Sequence, residues 1–127
     1  MNAYQISRAR KLTEAERDVN TLCDFKEGDF HHIPFEPATF DAVYAIEATC
    51  HAKDLALVYE QIYKVLKPGG YFAAWEWVFD DDLYDPKNPK HRAIKQGIEE
   101  GDGLPDINTK KQVCIYYYIF QQMLLTL

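Results

Sequence analysis

Between residues 54 and 66 the apolar side chains keep a single period. Leu55, Val58, Tyr59, Ile62 and Leu66 stand at i, i+3, i+4, i+7 and i+11, which puts them on one stripe of an α-helix. Asp54 just before them suits an N-cap, because its carboxylate can accept from first-turn amides that lack a partner within the helix. Pro68 cannot continue that helix and drives Lys67 towards extended backbone, so Lys67-Pro68-Gly69-Gly70 marks a stop. On either side, Phe40–Ile46 and residues 71–79 are rich in β-branched and aromatic residues and apolar on both faces. They read as buried strands. Strand, helix, Pro-Gly turn and strand form a βαβ unit, which joins parallel strands right-handedly.

Elsewhere the pattern is weaker. Residues 2–17 read as a helix with Asn2 at its N-cap and a thin apolar stripe. The short apolar run 21–25 reads as a strand feeding the loop Gly28-Asp29-Phe30. A helix is expected over 89–100, with Asn88 as N-cap, Pro89 at the first position and Gly101 past the end, followed by a loop over 101–105. Residues 113–127 stay open between helix and strand: Tyr116-Tyr117-Tyr118-Ile119-Phe120 is β-like, and the residues after it are helical in character.

Composition narrows the classes. The 127 residues are 47% hydrophobic and 27% charged, enough apolar matter for the core of one small α/β domain. Fourteen Lys and Arg stand against 20 Asp and Glu, a net charge of −6, which argues against a nucleic-acid binder built on phosphate neutralisation. Cys23, Cys50 and Cys114 are odd in number and none sits in a CxxC, so a reducing, intracellular compartment is expected rather than a disulfide-stapled secreted domain. The first residues lack the apolar stretch of a secretion leader. The apolar tail is short of a membrane span and is interrupted by Gln121-Gln122. His31-His32 has no metal-ligand spacing around it, and no metal site is expected.

In α/β sheets ligands bind beyond the carboxyl ends of the strands, which directs attention to three places. Asp29-Phe30 suits a purine, the acid accepting from an exocyclic amine and the ring packing on the base; from spacing alone, a turn Asp beside a core Phe is the plainer reading of the pair. Glu47 ends a strand and precedes the small Ala48, where a ligand can approach the backbone, and His51 four residues on can act as a general base. A helix-capping acid and a surface histidine are the plainer alternatives. Cys50 has no base placed beside it and reads as a small buried residue. Tyr44, Trp75, Trp77, Phe79 and Tyr84 surround two acids, Glu47 and Glu76. Such faces stabilise cations, although alternating aromatics on a strand also serve simply as core. The run Asp80-Asp81-Asp82 reads as a solvated loop.

These segments together resemble a known family. GDFHHIPFEPATFDAVYAIEATCHA, then EQIYKVLKPGGYFAAWEWVFDD and IEEGDGLPDI, are similar to the sterol C24-methyltransferases, class I enzymes that use S-adenosylmethionine. LKPGG is a general methyltransferase feature, whereas IEATCHA at 46–52, EW at 76–77 and EGDGLPDI at 100–107 are particular to the sterol group. The resemblance covers residues 2–114 and leaves 115–127 as a divergent apolar tail. It implies methyl transfer to C24 of a sterol side chain, through a cation that then loses a proton to a base. Asp29 and Phe30 would flank the adenine, and Glu47 and Ala48 would sit by the methionine moiety. His51, Glu76 and Glu47 form the implied catalytic set, the first two as base or as holders of the sterol hydroxyl. Tyr44, Trp75 and Trp77 would shield the cation on the substrate side. The family's sterols imply contact with the endoplasmic-reticulum membrane, or a cytoplasmic enzyme working beside it.

Departures from the family accompany the match. The glycine-rich cofactor loop, the acid that holds the ribose and the aromatic sterol-binding segment are absent from this sequence. The expected fold is therefore an incomplete class I, Rossmann-like three-layer sandwich, lacking its first strands and its last. The class I strand order would separate the strands at 21–25 and 40–46 by two missing ones, roughly 14 Å over three steps of ~4.8 Å. Edges left open on both sides invite pairing with another copy or with a full-length subunit. A partial gene product that does not act alone is the alternative expectation to an independent enzyme.

Overall fold

The computed structural model describes residues 3–16 and 21–125. They fall into two compact units, residues 1–34 and 35–127.

The first unit holds helix α1 (Ala3–Glu14), whose buried residue is Ile6. Asn2 and Arg17, the expected ends of this helix, lie outside the described residues. The strand expected at 21–25 is not formed; the segment is a turn and irregular chain. A strand must give its backbone groups to a neighbour, and none pairs with this segment among the described residues. Instead the Arg10 guanidinium donates to the Phe25 carbonyl at 3.0 Å, and Lys26 Nζ donates to the Pro34 carbonyl.

The second unit contains β1 (Phe40–Ile46), a 3₁₀ turn (Thr49–His51), α2 (Leu55–Val65), β2 (Leu66–Trp75), α3 (Pro89–Asp102) and α4 (Lys110–Leu125). The two strands pair in parallel, from Ala42 opposite Tyr71 to Ile46 opposite Trp75, as the βαβ reading requires. Asp54 caps α2, its Oδ1 accepting from the Leu57 amide at 3.0 Å. The stripe on α2 supplies the core: Val58, Tyr59, Ile62 and Val65 are all buried, and the Tyr59 ring meets Phe72 of β2 and Tyr116 of α4 edge-on.

The stop after α2 is tighter than expected. β2 begins directly at Leu66, and the irregular step in register, from Phe40 opposite Leu66 to Ala42 opposite Tyr71, takes up Pro68-Gly69-Gly70. Gly69 has a positive φ of 78°. A Cβ on Gly70 would come within 2.9 Å of the Lys67 carbonyl and 3.0 Å of that of Asp41. Lys67 Nζ binds the Asp41 carboxylate at 2.7 and 2.8 Å.

β2 also ends earlier than the apolar run, at Trp75 rather than Phe79, because β1 offers partners only as far as Ile46. Phe79 instead makes an isolated bridge with Thr109: its amide donates to Asn108, and its carbonyl accepts from Lys110. The strands are not buried on both faces. Val43, Ala45, Phe72 and Ala74 are half-buried, with Phe72 against Tyr59 of α2, while Ala42, Tyr44, Ile46, Tyr71, Ala73 and Trp75 are exposed. A parallel sheet is covered twice only when helices lie on both faces, and here the helical layer lies on one.

Asn88 caps α3 through the Lys90 amide, as expected, but the helix runs on through Gly101 to Asp102, two residues past its expected end. The left-handed cap is Gly103, φ 66°. The chain then folds back along α3 and buries Leu104 and Ile107. The open question resolves as helix over 113–125, while residues 126–127 lie outside the described residues: α4 runs through residue 114 without a break, and its β-like tyrosines are helical. Tertiary contact with α2 outweighs the weak strand propensity of that run. Among the described residues no helix is long and apolar enough to cross a membrane.

Three carboxylates make the stability of these units depend on acid. The His31 backbone amide, and then its ring, hold Asp29 below the usual range of 3.8. The Lys67 ammonium does the same for Asp41. Burial opposes the effect at Asp81, but bonds from the Thr109 side chain and the Lys111 amide outweigh it. A carboxyl that is more acidic folded than unfolded stabilises the fold above its unfolded value and loses that contribution as pH falls through the folded value. The melting midpoint is therefore expected to hold between about pH 5 and 7 and to drop below ~4. Thermal melts across that range check this.

Candidate functional site

The carboxyl ends of β1 and β2 lie side by side, and the chain leaves β1 through a strained residue. Glu47 has φ 46°, left-handed backbone that is uncommon outside glycine and costs a side-chain-bearing residue about 1–2 kcal/mol. Two anchors hold it there. The Glu47 amide donates to the Trp75 carbonyl at 2.7 Å. Two residues on, Glu76 Oε1 accepts from the Thr49 amide at 2.8 Å and its hydroxyl at 2.5 Å, while Oε2 accepts from the Cys50 amide at 3.1 Å.

The expected site residues divide between the two units. At the strand ends the structure brings together Glu47, Ala48, His51, Trp75, Glu76 and Trp77. Glu47 and His51 are exposed, and Tyr44 stands on the open sheet face in the same row as Ile46 and Trp75. Asp29 and Phe30 belong to the other unit. There Asp29 Oδ1 accepts from the His31 amide at 2.9 Å and lies 2.9 Å from its Nδ1, and the Phe30 ring meets that of His31 at 4.8 Å.

Burial, then the hydrogen bond and charge of Glu76, push the Cys50 thiol up to about 12. It stays protonated near neutral pH, in agreement with its reading as a non-nucleophile. Phe79 and Tyr84 stack on each other at 4.8 Å. With Val78, Asp80, Leu83, His91 and Ile94 they line an open cleft of about 260 Å³. The Asp80-Asp81-Asp82 loop is not merely solvated: Asp81 Oδ2 accepts from the Lys111 amide at 2.8 Å. Among the described residues no three His, Cys, Asp or Glu side chains cluster as a metal site would need.

Sequence reasoning passed over Thr49. It is buried, and its acceptor stands 27 positions away, so no local pattern announces it. The α3–loop clamp was also missed. Lys95 Nζ binds both Glu99 and Asp106, and Glu99 Oε1 takes the Ile107 amide at 2.7 Å.

Strain at Glu47 makes a direct prediction. Glu47→Gly is expected to stabilise the fold by about 1 kcal/mol while weakening any ligand that uses the carboxylate. Denaturation midpoints and ligand titration of the same variant check both halves.

A family model for the methyltransferase domain matches residues 1–74. Cycloartenol-C-24-methyltransferase 1 of Oryza sativa subsp. japonica is 51% identical over 111 residues, 87% of this chain and 32% of that protein. Sterol 24-C-methyltransferase erg6 of Schizosaccharomyces pombe is 52% identical over 109 residues, 86% of this chain and 28% of that one. The chain thus spans under a third of the length of these curated relatives. Among solved structures, the YcgJ protein of Bacillus subtilis superimposes with a TM-score of 0.75 at 16% identity, over 94% of this chain and 49% of that chain. The [4+2]-cyclase SpnF does so with 0.72 at 21%, over 94% and 40%. At these identities the structural likeness bears on the fold alone.

Proposed function

This chain belongs to the methyltransferase-domain family, and from that premise we propose that it carries part of the site of an S-adenosylmethionine-dependent enzyme methylating C24 of a sterol side chain. The observation that carries the reading is the pairing of about 50% identity to sterol 24-C-methyltransferases with Glu47 held in left-handed backbone where β1 ends. Sterols reside in bilayers, so the work would take place at a membrane surface.

The donor chemistry suits one end of the cofactor. S-adenosylmethionine, when bound, supplies an electrophilic methyl group on a sulfonium. The exposed Glu47 carboxylate can pair with its ammonium, and the small Ala48 leaves the backbone approachable. The exposed rings of Tyr44, Trp75 and Trp77 can stabilise positive charge developing on the sterol. His51, exposed beside them, suits removal of the proton.

A thermal melt with excess S-adenosylhomocysteine tests the cofactor part. Binding to the folded state alone should add ~2.7 kcal/mol at 100 times the dissociation constant, seen as a raised midpoint. A midpoint that ignores the ligand would remove the reading for this chain.

A second reading has its own observation. Among the described residues β1 and β2 pair only with each other, leaving their outer edges and one apolar face open. Such edges accept a further strand, which fits a non-catalytic chain joined to a full-length subunit or to a second copy. Co-purification with a full-length sterol methyltransferase supports this reading, and a monomer that ignores that subunit sinks it.

A further inference from the structure

We propose that Thr49 and Glu76 form a latch that positions the site, with Glu76 acting through the turn it holds rather than as a base. The inference deepens the methyltransferase reading and rests on it where ligand affinity is concerned. Three donors, the Thr49 amide, the Thr49 hydroxyl and the Cys50 amide, converge on one carboxylate at 2.8, 2.5 and 3.1 Å. Bonds to an ionised acceptor are about twice as strong as neutral ones, and Thr49 is buried, so water competes poorly for them. A carboxylate engaged in this way is poorly placed to take a proton from substrate.

The latch has something to hold. Glu47 sits two residues before Thr49 in left-handed backbone, and His51 sits two residues after it at the end of the same 3₁₀ turn. On one side the Glu47 amide is tied to the Trp75 carbonyl. On the other the turn is tied to the Glu76 side chain, next to Trp75 in sequence. Both ties run to the end of β2, so together they keep the segment 47–51 from relaxing to an ordinary φ and carrying both side chains away. Backbone in a sparsely populated region persists only where its surroundings over-determine it, and these four hydrogen bonds supply that constraint.

Amide hydrogen exchange on the ligand-free chain, paired with S-adenosylhomocysteine titration, tests the latch. Glu76→Gln keeps an acceptor oxygen for Thr49 but turns an NH₂ towards the Cys50 amide. Glu76→Ala removes every acceptor, and Thr49→Val removes the hydroxyl alone. We expect protection of the Thr49 amide to stay within about threefold in Glu76→Gln and to fall about tenfold or more in Glu76→Ala. Cys50 should lose protection in both, with Thr49→Val intermediate. Affinity for S-adenosylhomocysteine should follow the same order, so that the uncharged Gln rescues most of what Ala loses. Unchanged exchange at Thr49 and Cys50 in Glu76→Ala overturns the latch. Affinity in Glu76→Gln as poor as in Glu76→Ala, with Thr49 still protected, overturns the positioning role in favour of a charge acting on the ligand. Should Glu76→Ala fail to fold, Glu76→Gln against Thr49→Val carries the comparison. A parent chain that binds no S-adenosylhomocysteine refutes the cofactor reading, and the exchange data then decide the latch by themselves.

Discussion

Replacing Ile62 with alanine is expected to cost about 2–5 kcal/mol and to lower the melting midpoint by ~10 °C or more. Ile62 is 3% exposed, on the α2 stripe whose neighbours Val58 and Val65 are the largest fully buried side chains among the described residues. So small a core leaves little in reserve, since whole domains are stable by only about 5–15 kcal/mol. The cavity could not be refilled from the exposed sheet face, which turns away from α2. Ile94, 58% exposed on α3, provides the control: Ile94→Ala should stay within about 0.5 kcal/mol. Circular dichroism melts of both variants compare them. An Ile62→Ala protein that melts like the parent would show that α2 does not pack on the sheet as described.

Glu99→Ala is the second large loss, about 1–3 kcal/mol. Its carboxylate holds the Ile107 amide and the Lys95 ammonium, and Lys95 also reaches Asp106. Only 17% of the Lys95 side chain is exposed. Burial there pulls the lysine towards neutrality, but its bonds to Asp106 and Glu99 prevail and keep its affinity for the proton above the ordinary value. Without Glu99 the lysine keeps one partner, and the Ile107 amide loses its acceptor as the chain turns back under the helix. The neighbouring Glu100 is the contrast. It accepts from Gln96 on the exposed side of α3, and Glu100→Ala should change stability by no more than about 0.5 kcal/mol. Urea unfolding of the two variants separates a clamp from a surface pair. Equal losses would refute the clamp.

That clamp changes how the segment EGDGLPDI is understood. As a sequence it marks a family; in the fold it works as a helix terminus and a return. Gly103 supplies the left-handed cap, the Leu104 amide returns to the Glu99 carbonyl at 2.9 Å, and Leu104 and Ile107 are buried. The IEATCHA segment works differently. Its glutamate is strained and exposed, its threonine is buried and bonded, and its histidine is exposed at the end of the turn. One motif builds structure and the other presents side chains, which the letters alone do not distinguish.

Features that depend on near neighbours in the chain were legible in the sequence. The α2 stripe, its Asp54 cap, the Asn88 and Pro89 start of α3 and the parallel βαβ connection follow from periodicity, capping chemistry and proline geometry, all of which act within a turn or two. Motif spacing likewise carried the family. Tertiary structure alone decided whatever needed a partner far along the chain. Residues 21–25 stay irregular because no strand among the described residues pairs with them, and β2 stops at Trp75 because β1 stops at Ile46. Residues 110–125 become helix against α2, and the strands keep one bare face because helices cover the other. The bond from Thr49 to Glu76 spans 27 positions and exists only because two strands end side by side. A hydrogen bond or a packed face belongs to two segments at once, and a single segment read alone carries only its own half.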